Sequence, residues 1–207
     1  IEKPFDDCSF VSAHLGNGAS VCAINKGKSV DTSMGMTPLE GLVMGTRSGD
    51  IDPGIFSFLL RKGFSGEEID SLLNKKSGLL GISGVSNDMR TLEEHAEKGN
   101  SNASLAVEIF CFRLAKYIAA MLVSLDNCDG LIFTGGIGEN SSNIRAKTLA
   151  LLSNLGFAID ETANKQRGPE VLAINLTDTI PVYVTKTDEE FMIASQSAAI
   201  YDHEQGA

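Results

Sequence analysis

Arg47 stands between Gly45 and Gly49 in the run Met44-Gly-Thr-Arg-Ser-Gly-Asp-Ile-Asp52. A guanidinium presents a fork of donors that matches phosphate or carboxylate oxygens in pairs, and flanking glycines let the main chain turn tightly and approach a ligand. The run therefore reads either as an oxyanion site or as a loop arginine with a solvated head. Other parts of the chain bear on that choice.

Gly135-Gly-Ile-Gly-Glu-Asn-Ser141 joins an apolar strand to a helix that Asn140, Ser141 or Ser142 can cap. Free N–H groups and the positive end of a helix dipole make such a junction an anion site, although a plain tight turn has the same sequence needs. The near match Gly136-x-Gly138-x-x-Ser141 lacks the last glycine of the dinucleotide fingerprint, and no complete Walker motif occurs. His14-Leu-Gly-Asn-Gly18 links two strands; Asn17-Gly18 favours a hairpin with positive φ, which serves as structural punctuation or offers N–H groups and the Asn17 amide to phosphates. His14 by itself reads as a strand-end histidine, and His95 and His203 lie on polar helices without ligand-like partners. Thr187-Asp-Glu-Glu190 spells a capping box that accounts for Glu190 and leaves Glu189 either solvated or available to Mg²⁺ at a strand end. Three phosphate-type signals and one metal-type signal point together toward nucleotide phosphates.

These groups need elements to hold them. Strands are expected over Ser9 to His14, Ala19 to Asn25 and Ser29 to Ser33, the last two joined through Lys26-Gly27-Lys28. Asp52-Pro53 opens a helix that ends by Gly63, and Ser65-Gly-Glu-Glu68 is a capping box for a second running through Leu73. Gly78, Gly81 and Gly84 punctuate an expected loop to Ser86, followed by Asn87-Asp-Met-Arg90 and a polar helix from Thr91 to Glu97. Ser104 to Leu125 is expected as a buried helix, apolar almost all round. Asp129 to Thr134 follows as a continuous apolar strand, and a helix then runs to about Asn154. Late strands over Glu170 to Ile174 and Ile180 to Thr185 precede a last helix from Glu189 to Tyr201. Hairpin strands first and helix-separated strands later predict an α/β domain with a mixed sheet.

Composition narrows the function classes. The 207 residues, 43% hydrophobic, suffice for one substantial core or two small ones. A net charge of −10 argues against nucleic-acid partners and against a polybasic membrane surface, both of which require clustered cations. Glu108, Arg113 and Lys116 interrupt the most apolar segment, which argues against a membrane span. Cys8, Cys22, Cys111 and Cys128 show no CxxC spacing and read as reduced, buried thiols of a cytoplasmic protein. A start at Ile1-Glu-Lys-Pro4, without methionine or signal peptide, suggests a piece of a longer protein.

With Asp31-Thr-Ser-Met-Gly35, Thr37-Pro-Leu-Glu-Gly41, Ile82-Ser-Gly-Val-Ser86 and Phe133-Thr134 added, the motifs resemble the acetate and propionate kinase family, collinearly from His14 to the last helix. The resemblance implies the ribonuclease H-like, actin-type ATPase fold with a mixed sheet flanked by helices. It casts residues 1–207 as the C-terminal nucleotide-binding domain. It also implies ATP/ADP and a short-chain carboxylate as ligands, Mg²⁺ as cofactor, and a homodimer through this domain. Arg47 matches the arginine on the transferring phosphoryl group. His14, Gly16, Asn17 and Gly18 match a phosphate turn, Asp88, Met89 and Arg90 the segment near the adenosine, and Gly136, Ile137, Gly138, Glu139 and Asn140 a second nucleotide loop. Pro38 matches a wall of the acyl pocket and Glu189 a Mg²⁺ ligand. Asp188 and Met36 depart from the family's commoner choices. The first phosphate loop, a substrate arginine and a catalytic aspartate belong to the family's N-terminal part.

Overall fold

The computed structural model describes residues 3–168 and 170–205, with side-chain burial given through Tyr201. Strands β1 (Phe10–Leu15), β2 (Ala19–Asn25) and β3 (Lys28–Thr32) form an antiparallel meander. In β1 and β2 every second residue is buried, as period-2 patterning predicts for a sheet with one covered face: Val11, Ala13, Leu15, Ala19, Val21 and Ala23 point into the core. Lys26 and Gly27 both adopt positive φ, 49° and 72°, which closes the β2–β3 hairpin with the twist flanking strands require. β3 is the exposed edge.

Helix α1 (Gly54–Arg61) starts where Asp52-Pro53 predicts, with the Asp52 carboxylate accepting from the Gly54 N–H at 2.8 Å. None of its residues is buried, and Ile55, Phe56, Phe58 and Leu60 stay exposed. Helix α2 (Gly66–Lys75) carries the complete Ser65/Glu68 capping box, Glu68 N–H to Ser65 Oγ at 3.2 Å and Ser65 N–H to Glu68 Oε2 at 2.8 Å.

The glycine-punctuated stretch expected as a loop contains instead a short helix, α3 (Gly78–Ser83), closed by Gly84 at φ 65°. Its first-turn donors have no side-chain cap. Leu79 N–H and Leu80 N–H donate to the carbonyls of Met44 and Gly45, at 2.8 and 3.0 Å, and Ser77 N–H donates to Thr46 O at 3.0 Å. The partners that satisfy this helix end come from the distant Arg47 loop, which sequence spacing does not reveal.

Helix α4 (Met89–Glu97) is capped by Asp88, and α5 (Ser101–Leu122) by Asn100, whose Oδ1 accepts from Ala103 N–H at 2.9 Å. The Asn100 cap starts α5 three residues earlier than expected. Nor is α5 buried all round: Ala103, Val107, Phe110, Leu114, Ile118 and Met121 pack inward at helical spacing, while the apolar Leu105 and Phe112 remain exposed. β4 (Gly130–Thr134) is buried at four of five positions. The expected single helix after it is two, α6 (Gly135–Asn140) and α7 (Ser142–Leu151), broken at Ser141, whose backbone is extended and whose Oγ accepts from Ile144 N–H. A short α8 (Glu161–Asn164), β5 (Val171–Ala173), β6 (Val182–Thr185) and α9 (Glu189–Gln205) complete the chain.

The six strands form one mixed sheet in the order β3-β2-β1-β4-β6-β5. β1 pairs with β4, and β4 with β6, in parallel; the outer pairings are antiparallel. α5 lies on the covered face against β1 and β2, with α3, α4 and α7 packed around it. This is the mixed α/β sheet with flanking helices that the sequence predicts. Cys8 and Cys111 are buried as expected, but Cys22 and Cys128 are only half-buried; all four are free thiols.

Gly78 has φ 59°, and a Cβ there would collide with the Met44 carbonyl that caps α3. Gly78→Ala is therefore expected to lower stability by at least about 1–2 kcal/mol, combining left-handed strain with a backbone clash. Urea denaturation of the two proteins measures it.

Candidate functional site

Parallel pairing fixes where the chemistry-bearing turns lie. β1, β4 and β6 run the same way, so the segments that follow their C-terminal ends, Gly16-Asn17-Gly18, Gly135 to Asn140 and Thr187 to Glu190, collect at one edge of the sheet. The carboxyl ends of parallel strands are the usual ligand crevice of an α/β sheet. The His14↔Thr134 register sets the first two turns side by side.

Two cavities open there. The first, of about 810 Å³, is lined by Gly16, Asn17, Asn87, Asp88, Met89, Arg90, Glu93, Glu94, Glu97, Gly136, Ile137, Asn140, Ser141 and Arg167. Eight of these are sequence-predicted nucleotide residues: two from the hairpin, three from the start of α4 and three from α6. The second cavity, about 530 Å³, is lined by His14, Gly135, Gly136, Thr187, Asp188, Glu189 and Glu190. His14 and Glu189 thus lie beside the first cavity's glycine turn, in a separate recess.

Gly18, Pro38 and Arg47 line neither cavity but form a cluster beside the hairpin. Gly45 N–H donates to Asn17 O at 2.9 Å, and a Cβ at Gly45 would collide with Asn17 Oδ1, which explains the glycine. Asn17 Oδ1 in turn accepts from Asn87 Nδ2 at 2.8 Å, tying the hairpin to the α4 side of the cleft. Arg47 Nη1 reaches the Pro38 carbonyl at 3.4 Å and Met44 Sδ at 3.7 Å. Among the described residues no carboxylate pairs with it. Its half-buried guanidinium is therefore held in place by weak acceptors that leave its donors available to a stronger anion.

The Arg47 loop is anchored from behind by Asp50, which sequence reading did not single out. Asp50 Oδ1 accepts from Gly41 N–H at 2.8 Å, and Gly41 O accepts from Asp50 N–H at 3.1 Å, closing the loop into a ring. Asp50 Oδ2 pairs with Arg113 and accepts from Tyr117 Oη at 2.6 Å, both on α5. Burial, then the bond to Asp50, raises the Tyr117 pKa, so the hydroxyl remains a donor. Glycines 45 and 49 are visible in the sequence as loop signals; the ion pair between residues 63 apart is not.

The second nucleotide loop is also arranged differently from expectation. Gly136, Ile137 and Asn140 face the first cavity, whereas Gly138 is buried on the side of α6 toward Phe133 and Glu139 turns toward the β6 end. Glu139 Oε1 accepts from Gly135 N–H at 3.1 Å, Thr187 N–H at 3.2 Å and Thr187 Oγ1 at 3.3 Å. Because Thr187 is occupied there, the predicted Thr187/Glu190 capping box does not form; Asp188 caps α9 instead, accepting from Phe191 N–H at 2.9 Å. Glu189 is left exposed in the first turn of α9, with no side-chain hydrogen bond or ion pair among the described residues.

That exposure bears on metal binding. No cluster of three His, Cys, Asp or Glu side chains with metal-holding geometry occurs among the described residues. Mg²⁺ needs no such cage when phosphate and water oxygens fill most of its positions, and one or two free carboxylates are its usual protein donors. Glu189 meets that requirement. His95, on α4, joins no such group, and the side chain of His203 lies outside the described residues.

Asp88, whose side chain is 45% exposed, caps α4 through Thr91 N–H at 3.0 Å. That N–H is the main cause holding its carboxyl below the usual range; burial opposes the shift and Arg90 assists it. A depressed folded pKa means the cap's contribution is fully present above the unfolded value, near 3.8, and is lost as pH falls through the folded one. Asp88→Ala should cost about 1 kcal/mol at neutral pH, the usual worth of an N-cap. In urea titrations across pH, the gap between variant and wild type should close as the carboxylate range is crossed downward.

Comparison with known proteins follows the same lines. A family model described as the Acetokinase family matches residues 1–195. Acetate kinase 2 of Neisseria meningitidis serogroup A is 56% identical over 201 residues, covering 96% of this chain and 50% of that protein. The acetate kinase of Ectopseudomonas mendocina is 56% identical over 205 residues, with 96% and 51% covered. Among solved structures, Porphyromonas gingivalis acetate kinase superposes with a TM-score of 0.90 at 42% identity, covering 96% of this chain and 50% of its own. A propionate kinase from Francisella tularensis subsp. tularensis superposes with 0.86 at 50% identity, covering 90% and 48%. The chain spans about half the length of the relatives it matches.

Proposed function

The chain belongs to the acetokinase family, and from that premise we propose that it is the C-terminal, nucleotide-binding half of an acetate kinase. The observation that carries the reading is the first cavity: eight residues assigned to nucleotide from sequence, on three separated segments, line one cleft at the carboxyl ends of parallel strands. ATP or ADP occupies that cleft, with its phosphates toward Gly16, Asn17 and Gly136, where glycine backbones admit close approach.

In the proposed reaction a carboxylate oxygen of acetate attacks the γ-phosphorus of ATP in line. The new P–O bond forms as the bond to the bridging oxygen breaks, and ADP leaves with that electron pair. Acetate is already deprotonated, so positioning and electrostatics supply the catalysis. Arg47, without a carboxylate partner among the described residues, donates its fork to the equatorial oxygens of the phosphoryl group in transfer, and its hold on the Pro38 carbonyl sets Pro38 beside the same group as a wall for the acyl methyl. His14 and Glu189 border the phosphate end from the second cavity. Mg²⁺, held by Glu189, would neutralise phosphate charge when bound.

Acetate is the proposed acceptor because the relatives at 56% identity carry that name. The similarity to a propionate kinase makes propionate the competing substrate, and the ratio of kcat/KM for the two acids decides between them. A homodimer through this domain is supported by apolar side chains that it leaves uncovered, Leu105 and Phe112 on α5 and Phe56 and Phe58 on α1. Four free thiols and the use of ATP support a cytoplasmic setting. Partners are small molecules and a second copy. No helix among the described residues is long and apolar enough to cross a membrane.

Calorimetric titration of ADP into this chain tests the nucleotide reading: one site should saturate, and Asn17→Ala should weaken it by about tenfold, as expected for a lost phosphate-side hydrogen bond and its anchor. Absence of ADP binding at millimolar concentration refutes it. In the whole protein, Arg47→Ala should lower kcat by about 10³-fold or more, in the range of arginine clamps in phosphoryl transfer. Arg47→Lys should recover only part, since a point charge cannot reproduce the fork. An unchanged kcat removes Arg47 from the mechanism.

A further inference from the structure

We propose that Arg145, buried on α7 behind the nucleotide cleft, is a positioning residue that holds the short helix α6 in its ligand-ready shape. The proposal rests on the nucleotide reading above for what α6 does, and on geometry alone for how Arg145 holds it. Arg145 is 2% exposed. Its Nη1 donates to the carbonyls of Gly138 and Glu139, at 2.8 and 3.0 Å, its Nε to Asn164 Oδ1 at 2.8 Å, and its Nη2 to Asn164 O at 2.6 Å. All four acceptors are neutral carbonyl oxygens, and no carboxylate pairs with it among the described residues.

A buried cation without a counter-ion is costly unless dipoles replace the water it loses. Here two of the dipoles are last-turn carbonyls of α6, at the helix's negative end, and the other two belong to Asn164. Burial, with the nearby Arg167, draws the Arg145 pKa down to about 10, so the side chain stays charged at neutral pH.

α6 has six residues, three of them glycine, and glycine costs about 1 kcal/mol per helical position relative to alanine. Its two ends are clamped by side chains: Glu139 takes the Gly135 N–H at the start, and Arg145 takes two carbonyls at the finish. Between the clamps, Gly136, Ile137 and Asn140 face the cleft. Asn164, 1% exposed, completes the staple by donating to Ser142 O at 2.9 Å, so α6, α7 and α8 are joined through one guanidinium. Arg145 lines neither cavity; it acts on ligand only through α6.

The test compares wild type, Arg145→Met, Arg145→Lys and Asn164→Ala in this chain, by amide hydrogen exchange and by ADP titration, each on protein shown to be folded by far-UV circular dichroism. In Arg145→Met, exchange at the Ser141 amide, which donates to Ile137 O, should accelerate at least tenfold while the Val21 amide in β2 keeps its protection. ADP affinity should fall about tenfold or more. Lysine should restore part of both, because one ammonium cannot span four carbonyls, and Asn164→Ala should give a smaller loss of the same kind. If Arg145→Met does not fold, the lysine and Asn164 variants carry the test. A lower melting temperature with unchanged ADP affinity and unchanged Ser141 exchange overturns the proposal, as does a loss of protection spread evenly over the sheet. Should wild type itself not bind ADP, the nucleotide reading fails, and the exchange comparison still decides whether Arg145 holds α6.

Discussion

Parallel alignment of β1, β4 and β6 is the constraint on which the rest of the molecule depends. Antiparallel neighbours would send alternate turns to opposite ends of the sheet. Three parallel strands send the glycine hairpin, α6 and the start of α9 to one end, although more than a hundred residues of sequence separate the hairpin from the other two. Parallel strands require long crossovers. The β1-to-β4 connection here contains α1 through α5, so most of the first half of the chain is the crossover that makes the site possible. α5, buried at every inward turn against β1 and β2, is the part of that connection that fixes the sheet's covered face.

Onto this frame the site is attached largely through backbone atoms. Met44, Gly45 and Thr46 give their carbonyls to α3 and the residue before it, Gly45 gives its N–H to the hairpin, and Asp50 closes the loop onto α5. Each of these contacts satisfies a group that would otherwise be orphaned on burial. The result is a loop without regular secondary structure that is nevertheless buried from Gly41 to Gly45. Glycine at 45, 49 and 78 follows from the same packing, since a Cβ at any of them would strike main chain or Asn17. Arg47 is thus presented by a surface whose shape is set before any ligand arrives, which is how positioning lowers the entropic cost of binding.

Sequence legibility divided along that line. Features whose partners are neighbours in the chain were readable: the Ser65/Glu68 box, the Lys26-Gly27 hairpin, the Asp52-Pro53 helix start and the alternation in β1 and β2. The glycine segments after β1 and β4 do meet at one cavity, although Asn17-Gly18 lacks the expected positive φ and the expected turn after β4 is helical. Features whose partners are distant were not readable. α3 looked like a loop because its N-terminal donors are satisfied by carbonyls thirty residues upstream. The Thr187/Glu190 box was spelled correctly but lost Thr187 to Glu139, a better-placed acceptor 48 residues away. Arg145 left no signal at all, because three of its four acceptors are backbone oxygens, which every residue possesses.

Charge bears on why amides and glycine backbones line so much of the cleft. The chain carries a net −10, so a polyanion approaching it meets repulsion outside the Debye length of about 8–10 Å only in screened form, and unscreened repulsion inside it. A lysine-rich surface would overcome that at the expense of selectivity. Instead, two of the acidic groups at the cleft have structural duties: Glu93 accepts from Ser141 Oγ and Asn143 Nδ2 at 2.8 and 2.9 Å, and Asp88 caps α4. Arg47, beside the hairpin, meets only weak acceptors, and Arg145, behind the cleft, meets carbonyls, whereas Arg90 in the cleft pairs with Asp88 at 3.4 Å. Short-range donors in a preformed cleft can then outweigh a repulsive field that weakens with every ångström of salt solution, and an anion that does not fit the donors is still turned away.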